Sequence, residues 1–467
     1  MSISLFSCAS SKKHVQEYVS IDGHDFVDVT SYGVDKSGRN DCTDALQRAF
    51  NENTYVYIPK GNYAIRKTTQ RAEHNPNALY ITDRSKVRHI IFEDDAWLTV
   101  DDDRNFVGTK NNIIKLMPVS RSIDSFRIDG LNIRMDKQRV KTENTGFFAC
   151  EKAGREIKRL IINDAQIINC TNLGLLTYAK SNYFKNIYTE GNLNHAIGAR
   201  NPYNHGVLHH LEIDGHNSID DGEYSIDFSG SSTNGDWTIA NPGDRWTGKV
   251  SNVKSVRSKR GIKTAGYWDL EMYNIQVIEP KVYGFFINKS APGTTIKIDS
   301  MLIRGARNEF AMSLSGVCNL EMQNIFIEDC KSGINMKQPI YKIKNLSIKG
   351  DNMEMPLRLM SESGSMDGFI VEGGDDEVAS IWIKSKSCTL ENGVVKRYSS
   401  PYGILVHEGV KDMVMKNVVV EDEGRNKLAK VMSMQLDGNL VLEKSKLGKI
   451  FNRNSGARII DKQAEKK

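Results

Sequence analysis

The sequence predicts an all-β chain folded as a single right-handed parallel β-helix with an N-terminal capping helix. Three observations predict it. From about residue 85 onward the chain shows almost no helical periodicity. A short strand led by glycine recurs instead, at Gly146, Gly174, Gly261, Gly284, Gly333 and Gly403, each followed by apolar residues in alternation. Between these lie second strands of one type, beginning at Leu160, Phe184, Leu270, Leu320 and Met413 and running into asparagine. The period is commonly twenty-two to twenty-eight residues. Alternating strands and asparagine-rich turns at that period predict a solenoid of about a dozen stacked coils. Leucine-rich repeats share the length but not the Leu-x-x-Leu-x-Leu spacing.

Taken in chain order, residues 1–20 read as a trimmed lipoprotein signal and tether. Cys8 follows Leu5, Phe6 and Ser7 in a pattern similar to a bacterial lipoprotein processing site, which predicts acylation and a cell-envelope location. Residues 21–445 form the β-helix domain and 446–467 a tail. Within the opening segment, residues 43–52 predict a helix capped by Asp41 or Thr43, whose apolar face of Ala45, Leu46, Ala49 and Phe50 closes one end of the core. The seven cysteines show no CxxC spacing, so neither a zinc site nor a disulfide framework is indicated. With 63 basic and 58 acidic residues spread evenly, the chain carries no basic tract for nucleic acid. That balance leaves room for a local basic site for an anionic ligand, and a monomer is expected.

The opening stretch FVDVTSYGVDKSGRNDCTDALQRAFNENTYVYIPKGNYAI (26–65) resembles the N-terminal signature of the pectate-lyase and polygalacturonase superfamily. That resemblance implies the same β-helix and an action on uronic-acid glycans. SIDDGEYSIDFSGSS with the later Arg260-Gly261-Ile262-Lys263 is similar to the polygalacturonase core, in which paired aspartates act on the glycosidic bond and an Arg/Lys segment binds the sugar carboxylate. Asp220 and Asp221 match the pair, and Arg260 with Lys263 the anion site. Two elements depart from the pattern. The coil upstream reads Ala199-Arg200-Asn201-Pro202-Tyr203-Asn204 and lacks a carboxylate, and an insert at 232–249 replaces the expected His-Gly. The combination also looks similar to the oligosaccharide dehydratase of bacterial loci that degrade ulvan.

The residues themselves gather chemistry in the same place. Residues 204–230 hold four histidines and six carboxylates. Aligned on the Gly-led strands, side-chain alternation turns Tyr178, Arg200, Asp227 and Lys263 outward on one face. His195, Asp220, Asp221, Lys259 and Arg260 sit just before those strands. The candidate catalytic residues are therefore His195, His209, His210, His216, Asp220, Asp221, Asp227 and Lys263. Tyr178, Arg200, Arg260, Trp237, Trp246 and Tyr267 are the candidate substrate contacts, the two tryptophans belonging to the insert, which reads as a loop. A solvated surface ladder is the plain alternative.

With one hydrolase carboxylate missing, β-elimination fits best: a cation neutralises the uronate carboxylate, a base takes the C5 proton, and an acid protonates the oxygen leaving C4. A leaving sugar makes a polysaccharide lyase and a leaving water an oligosaccharide dehydratase. Hydrolysis of the polygalacturonase type and glycan binding without catalysis are the alternatives. No cofactor is expected. Calcium, as in many pectate lyases, and a transition metal on His209, His210, Asp214 and His216 are the metal readings, neither with a diagnostic spacing.

Overall fold

The computed structural model describes residues 16–68, 76–150, 154–200, 209–229, 246–375, 379–421, 432–434, 438–448, 450–452 and 458–462. They form the predicted parallel β-helix. Fifteen strands, from Asn77–Ile81 to Ile450–Asn452, stack into one parallel sheet, and a 23-stranded sheet forms the rest of the coil wall. Among the described residues only Tyr18–Ile21 and His24–Asp28 pair antiparallel. Fifteen strands exceed the expected dozen because coils at both ends lack the leading glycine, as in Asn77–Ile81 and Met432–Met434.

Alternation builds the core. Leu175, Ile197, Ile226, Ile262 and Phe285 are register partners on successive coils, and all are buried. Such coils lie about 4.8 Å apart, so each apolar side chain packs against its equivalents above and below. The leading glycine has a steric cause. A Cβ on Gly261 would stand 2.2 Å from the Gly284 carbonyl oxygen and 2.8 Å from a Val277 methyl.

Asparagine shapes the corners. Asn186, Asn252, Asn274, Asn324, Asn345, Asn392 and Asn417 all adopt left-handed backbone, with φ between 51° and 57°. Asparagine tolerates that conformation better than most residues. Each sits inside a long strand such as Trp268–Ile278 or Asn319–Glu328 and bends it. Their side-chain amides bond along the stack, as in Asn274 to Asn252 at 2.8 Å and Asn417 to Asn392 at 3.0 Å. A second left-handed corner runs through Asp220, Arg257, Glu279, Asp329 and Arg397, just before the Gly-led strands.

The helix α1 spans Thr43–Glu52, and Leu46, Ala49 and Phe50 are fully buried with Ala45 packed beside them. Its first residue after the cap position is held by Asp41, whose Oδ1 accepts the Thr43 amide at 3.2 Å. Gln47 closes the sheet end: its side-chain amide donates to the Tyr80 carbonyl at 3.0 Å and accepts from the Tyr80 amide at 2.7 Å, filling the edge positions of Asn77–Ile81. At the other end pairing continues past residue 445, since Asn439–Glu443 pairs with Arg458–Asp461. The expected tail boundary at 446 therefore falls inside the coil stack. The six described cysteines are free and buried, and Cys8 lies outside the described residues. No described helix is long and apolar enough to cross a membrane.

Candidate functional site

One buried carboxylate organises the outward face of the fifteen-stranded sheet. Asp227 lies on Tyr224–Ser229, in register with Gly198 on the coil before and Lys263 on the coil after. Its side chain is only 1% exposed. Asp227 Oδ2 lies 3.3 Å from His195 Nε2, and Oδ1 lies 3.2 Å from Lys263 Nζ. Ser229 binds both partners, donating to Asp227 Oδ1 at 2.7 Å and accepting from Lys263 Nζ at 3.2 Å. A buried aspartate needs such compensation to remain charged. Three successive coils thus supply an imidazole, a carboxylate and an ammonium in a row.

An aromatic floor carries the cations. The Tyr224 ring lies 5.1 Å from Lys263 Nζ, 5.2 Å from the Arg260 guanidinium carbon and 5.2 Å from the His195 ring centre. Burial pushes the Tyr224 phenol up to about 12, so it stays protonated at neutral pH. Glu223 bonds Lys259 and Arg260 and fixes the rim. On the next coil Tyr283 and Phe286 stack with ring centres 5.0 Å apart and extend an apolar wall.

Sequence alternation placed Asp227 and Lys263 as outward neighbours, and that register holds. Tyr178 lies on the same face but further along the coil, packed edge-on against Phe148 at 5.6 Å. The Arg200 backbone pairs with Ser229. Trp237 lies outside the described residues.

Several candidates do not join the site. Asp220 occupies the left-handed corner and pairs with Arg257 at 2.7 Å, both half-exposed. Asp221 faces the interior, fully buried, and accepts from Thr189 and Ser218 hydroxyls and from the Asn192 amide and side chain. Burial is the largest influence on its carboxyl and raises its pKa. The expected aspartate pair is therefore divided between a corner and the core. His216 also faces inward, in register with Ile187 and Val253, and burial lowers its imidazole to about 4. His210 opens a strand of the other sheet, with His209 just before it, and His210 Nδ1 lies 2.8 Å from Thr247 Oγ1. Asp214 is held at a corner by Ser251 and Asn252. An inward His216 cannot share an ion with these outward groups, so the transition-metal set is dispersed. Trp246 is not in a loop: it opens the strand Trp246–Val256 with its ring in the core, edge-on to Trp268 and to Tyr267 at the adjoining turn.

Tyr224, Ser229 and Gly198 were missed. Counting three residues back from each Asp227-equivalent position aligns His195, Tyr224 and Arg260, which would have exposed the floor. Strict alternation assigns residues three apart to opposite faces and so hides that alignment.

No known protein family matches the chain, and no curated protein sequence does. Among solved structures it is similar to the catalytic unit of a GH87 α-1,3-glucanase from Streptomyces thermodiastaticus, at 11% identity over 93% of this chain and 68% of that one, with a TM-score of 0.39. It is similar to the A-module of mannuronan C-5 epimerase AlgE6 from Azotobacter vinelandii, at 11% identity over 93% of this chain and 98% of that one, TM-score 0.38. Tailspike protein 3 of bacteriophage CBA120 gives 9% identity over 96% of this chain and 65% of that one, TM-score 0.46.

Proposed function

We propose that the chain is a carbohydrate-active enzyme that cleaves or dehydrates uronic-acid glycans by β-elimination. One observation carries the reading: the buried Asp227 carboxylate lies between His195 and Lys263 on adjacent coils, at 3.3 and 3.2 Å. Elimination needs a base, a neutralised substrate carboxylate and a proton donor. His195 is the base. Asp227, beside Nε2, orients the imidazole and stabilises the imidazolium that forms when it takes the C5 proton. Lys263, with Arg260 at the rim, meets the uronate carboxylate and stabilises the charge it gains as the proton departs.

The electron pair from the C5–H bond becomes the C4–C5 double bond, and the C4–O bond breaks. The departing oxygen takes its proton from the Tyr224 phenol, which burial keeps protonated. If that oxygen belongs to a sugar, the chain is shortened; if it is a terminal hydroxyl, water leaves. Inverting hydrolysis is less well served, because it needs a second carboxylate across the bond, and Asp220 and Asp221 do not provide it. We place the enzyme at the cell envelope, tethered through Cys8.

Incubation with uronate oligosaccharides tests the reading. Ultraviolet absorbance from a conjugated double bond, lost in His195→Ala and Asp227→Asn, is expected. New reducing ends without absorbance would mean hydrolysis, and retention without product would mean binding alone.

A further inference from the structure

Lys115 occupies the same outward column as Asp227, four coils nearer α1, through the register Lys115, Phe148, Leu176, Gly198, Asp227. Its side chain is 1% exposed. Tyr80 and Phe148 are its register neighbours, and the Phe148 ring centre lies 5.6 Å from Nζ. Met117, Cys150 and Tyr178 belong to the same small apolar cluster. Among the described residues no carboxylate lies within ion-pair distance of Nζ, and Nζ donates no hydrogen bond.

This is an unusual way to use a lysine. A buried ammonium without a counter-charge is strongly disfavoured, and one aromatic face offsets only part of that. Methionine would fill the same space without that cost. Burial accordingly lowers the Lys115 pKa, with the only opposing influence coming from Cys150. Further along the same column Lys263 places a second cation where an acidic sugar would meet it.

We propose that Lys115 is a second anion receptor of the glycan groove, binding the carboxylate or sulfate ester of a sugar held four coils, about 19 Å, from Asp227. The assignment rests on the reading of this face as a groove for acidic glycans. The ligand supplies the counter-charge that the chain omits, so the ammonium is paired only in the complex. Substrates too short to reach both points gain nothing from it.

The test uses the full chain carrying Asp227→Asn, with and without Lys115→Met, and Lys115→Gln as a second variant should methionine impair folding. Calorimetric titration compares digalacturonate, octagalacturonate, carboxyl-reduced octagalacturonate and a sulfated galactan octasaccharide. Loss of about 30-fold or more in octagalacturonate affinity, with digalacturonate unchanged and the reduced octamer equally weak on both chains, supports a carboxylate receptor. The same loss confined to the sulfated octasaccharide supports a sulfate receptor while removing the uronate reading. Equal affinities of the chains with and without Lys115 for both anionic octasaccharides overturn the proposal, and octagalacturonate binding then leaves the uronate reading standing.

Discussion

Asp227 and Lys263 are direct register partners on neighbouring coils, with Oδ1 and Nζ 3.2 Å apart. Each depends on the other, since the carboxylate is buried and the ammonium lies over the Tyr224 ring. In the proposed mechanism Lys263→Ala removes a charge that acts on the developing enolate, and it is expected to lower kcat by ~100-fold, on the order of 3 kcal/mol. It also strands a buried carboxylate, so the melting temperature should fall as well. Steady-state kinetics with thermal unfolding reads both effects; wild-type turnover in this variant would remove Lys263 from the site.

His195 and Asp227 act as one unit in the proposed mechanism, so their losses should not add. His195→Ala and Asp227→Asn are each expected to cost roughly 100- to 1,000-fold in kcat/KM, and the double variant about the same as the worse single. Fully additive losses in the double-mutant cycle would separate the two residues.

Asp220 and Asp221 are adjacent in sequence and opposite in consequence. Asp220→Asn breaks an exposed pair with Arg257 and should leave activity and melting temperature nearly unchanged. Asp221→Ala leaves four buried donors without their acceptor and should cost roughly 3 kcal/mol or more of stability. Inactivity of a well-folded Asp221→Asn would instead restore the hydrolase assignment.

His216 makes the fold sensitive to acid. Its pKa is about 4 when folded against an ordinary value of 6.5, so the unfolded chain binds more protons between those limits. Stability from this residue is complete above about pH 6.5 and falls as the pH drops toward 4, by up to about 3 kcal/mol. His216→Leu should flatten the urea-unfolding free energy over that interval. An unchanged slope would assign the acid sensitivity to other groups.

The coil architecture was legible because it depends on repetition: apolar alternation, a leading glycine and a corner asparagine return once per coil. The site was legible only within a strand. Asp227 and Lys263 follow from alternation counted along one strand type, whereas His195 and Tyr224 stand three residues before the Asp227-equivalent position of their coils, an odd spacing that strict alternation assigns to the opposite face. The histidine cluster misled for the same reason. His195, His210 and His216 are close in sequence, but the chain turns corners between them, so one lies beside Asp227, one on the other sheet and one in the core. Sequence proximity within a coil distributes side chains around its circumference, and spatial proximity comes from residues one period apart.

The asparagine corners separate the proposed enzyme's reach from its chemistry. Because the left-handed residue returns once per coil, a whole coil can be added or removed beyond Phe286 without changing the register of its neighbours. A single inserted residue within a strand would instead turn its row of side chains inside out. The proposed groove can thus lengthen in steps of about 4.8 Å, while His195, Asp227 and Lys263 keep their places. Glycan length selectivity in such a chain is a quantity that evolution can change by duplication, leaving catalysis to point substitution.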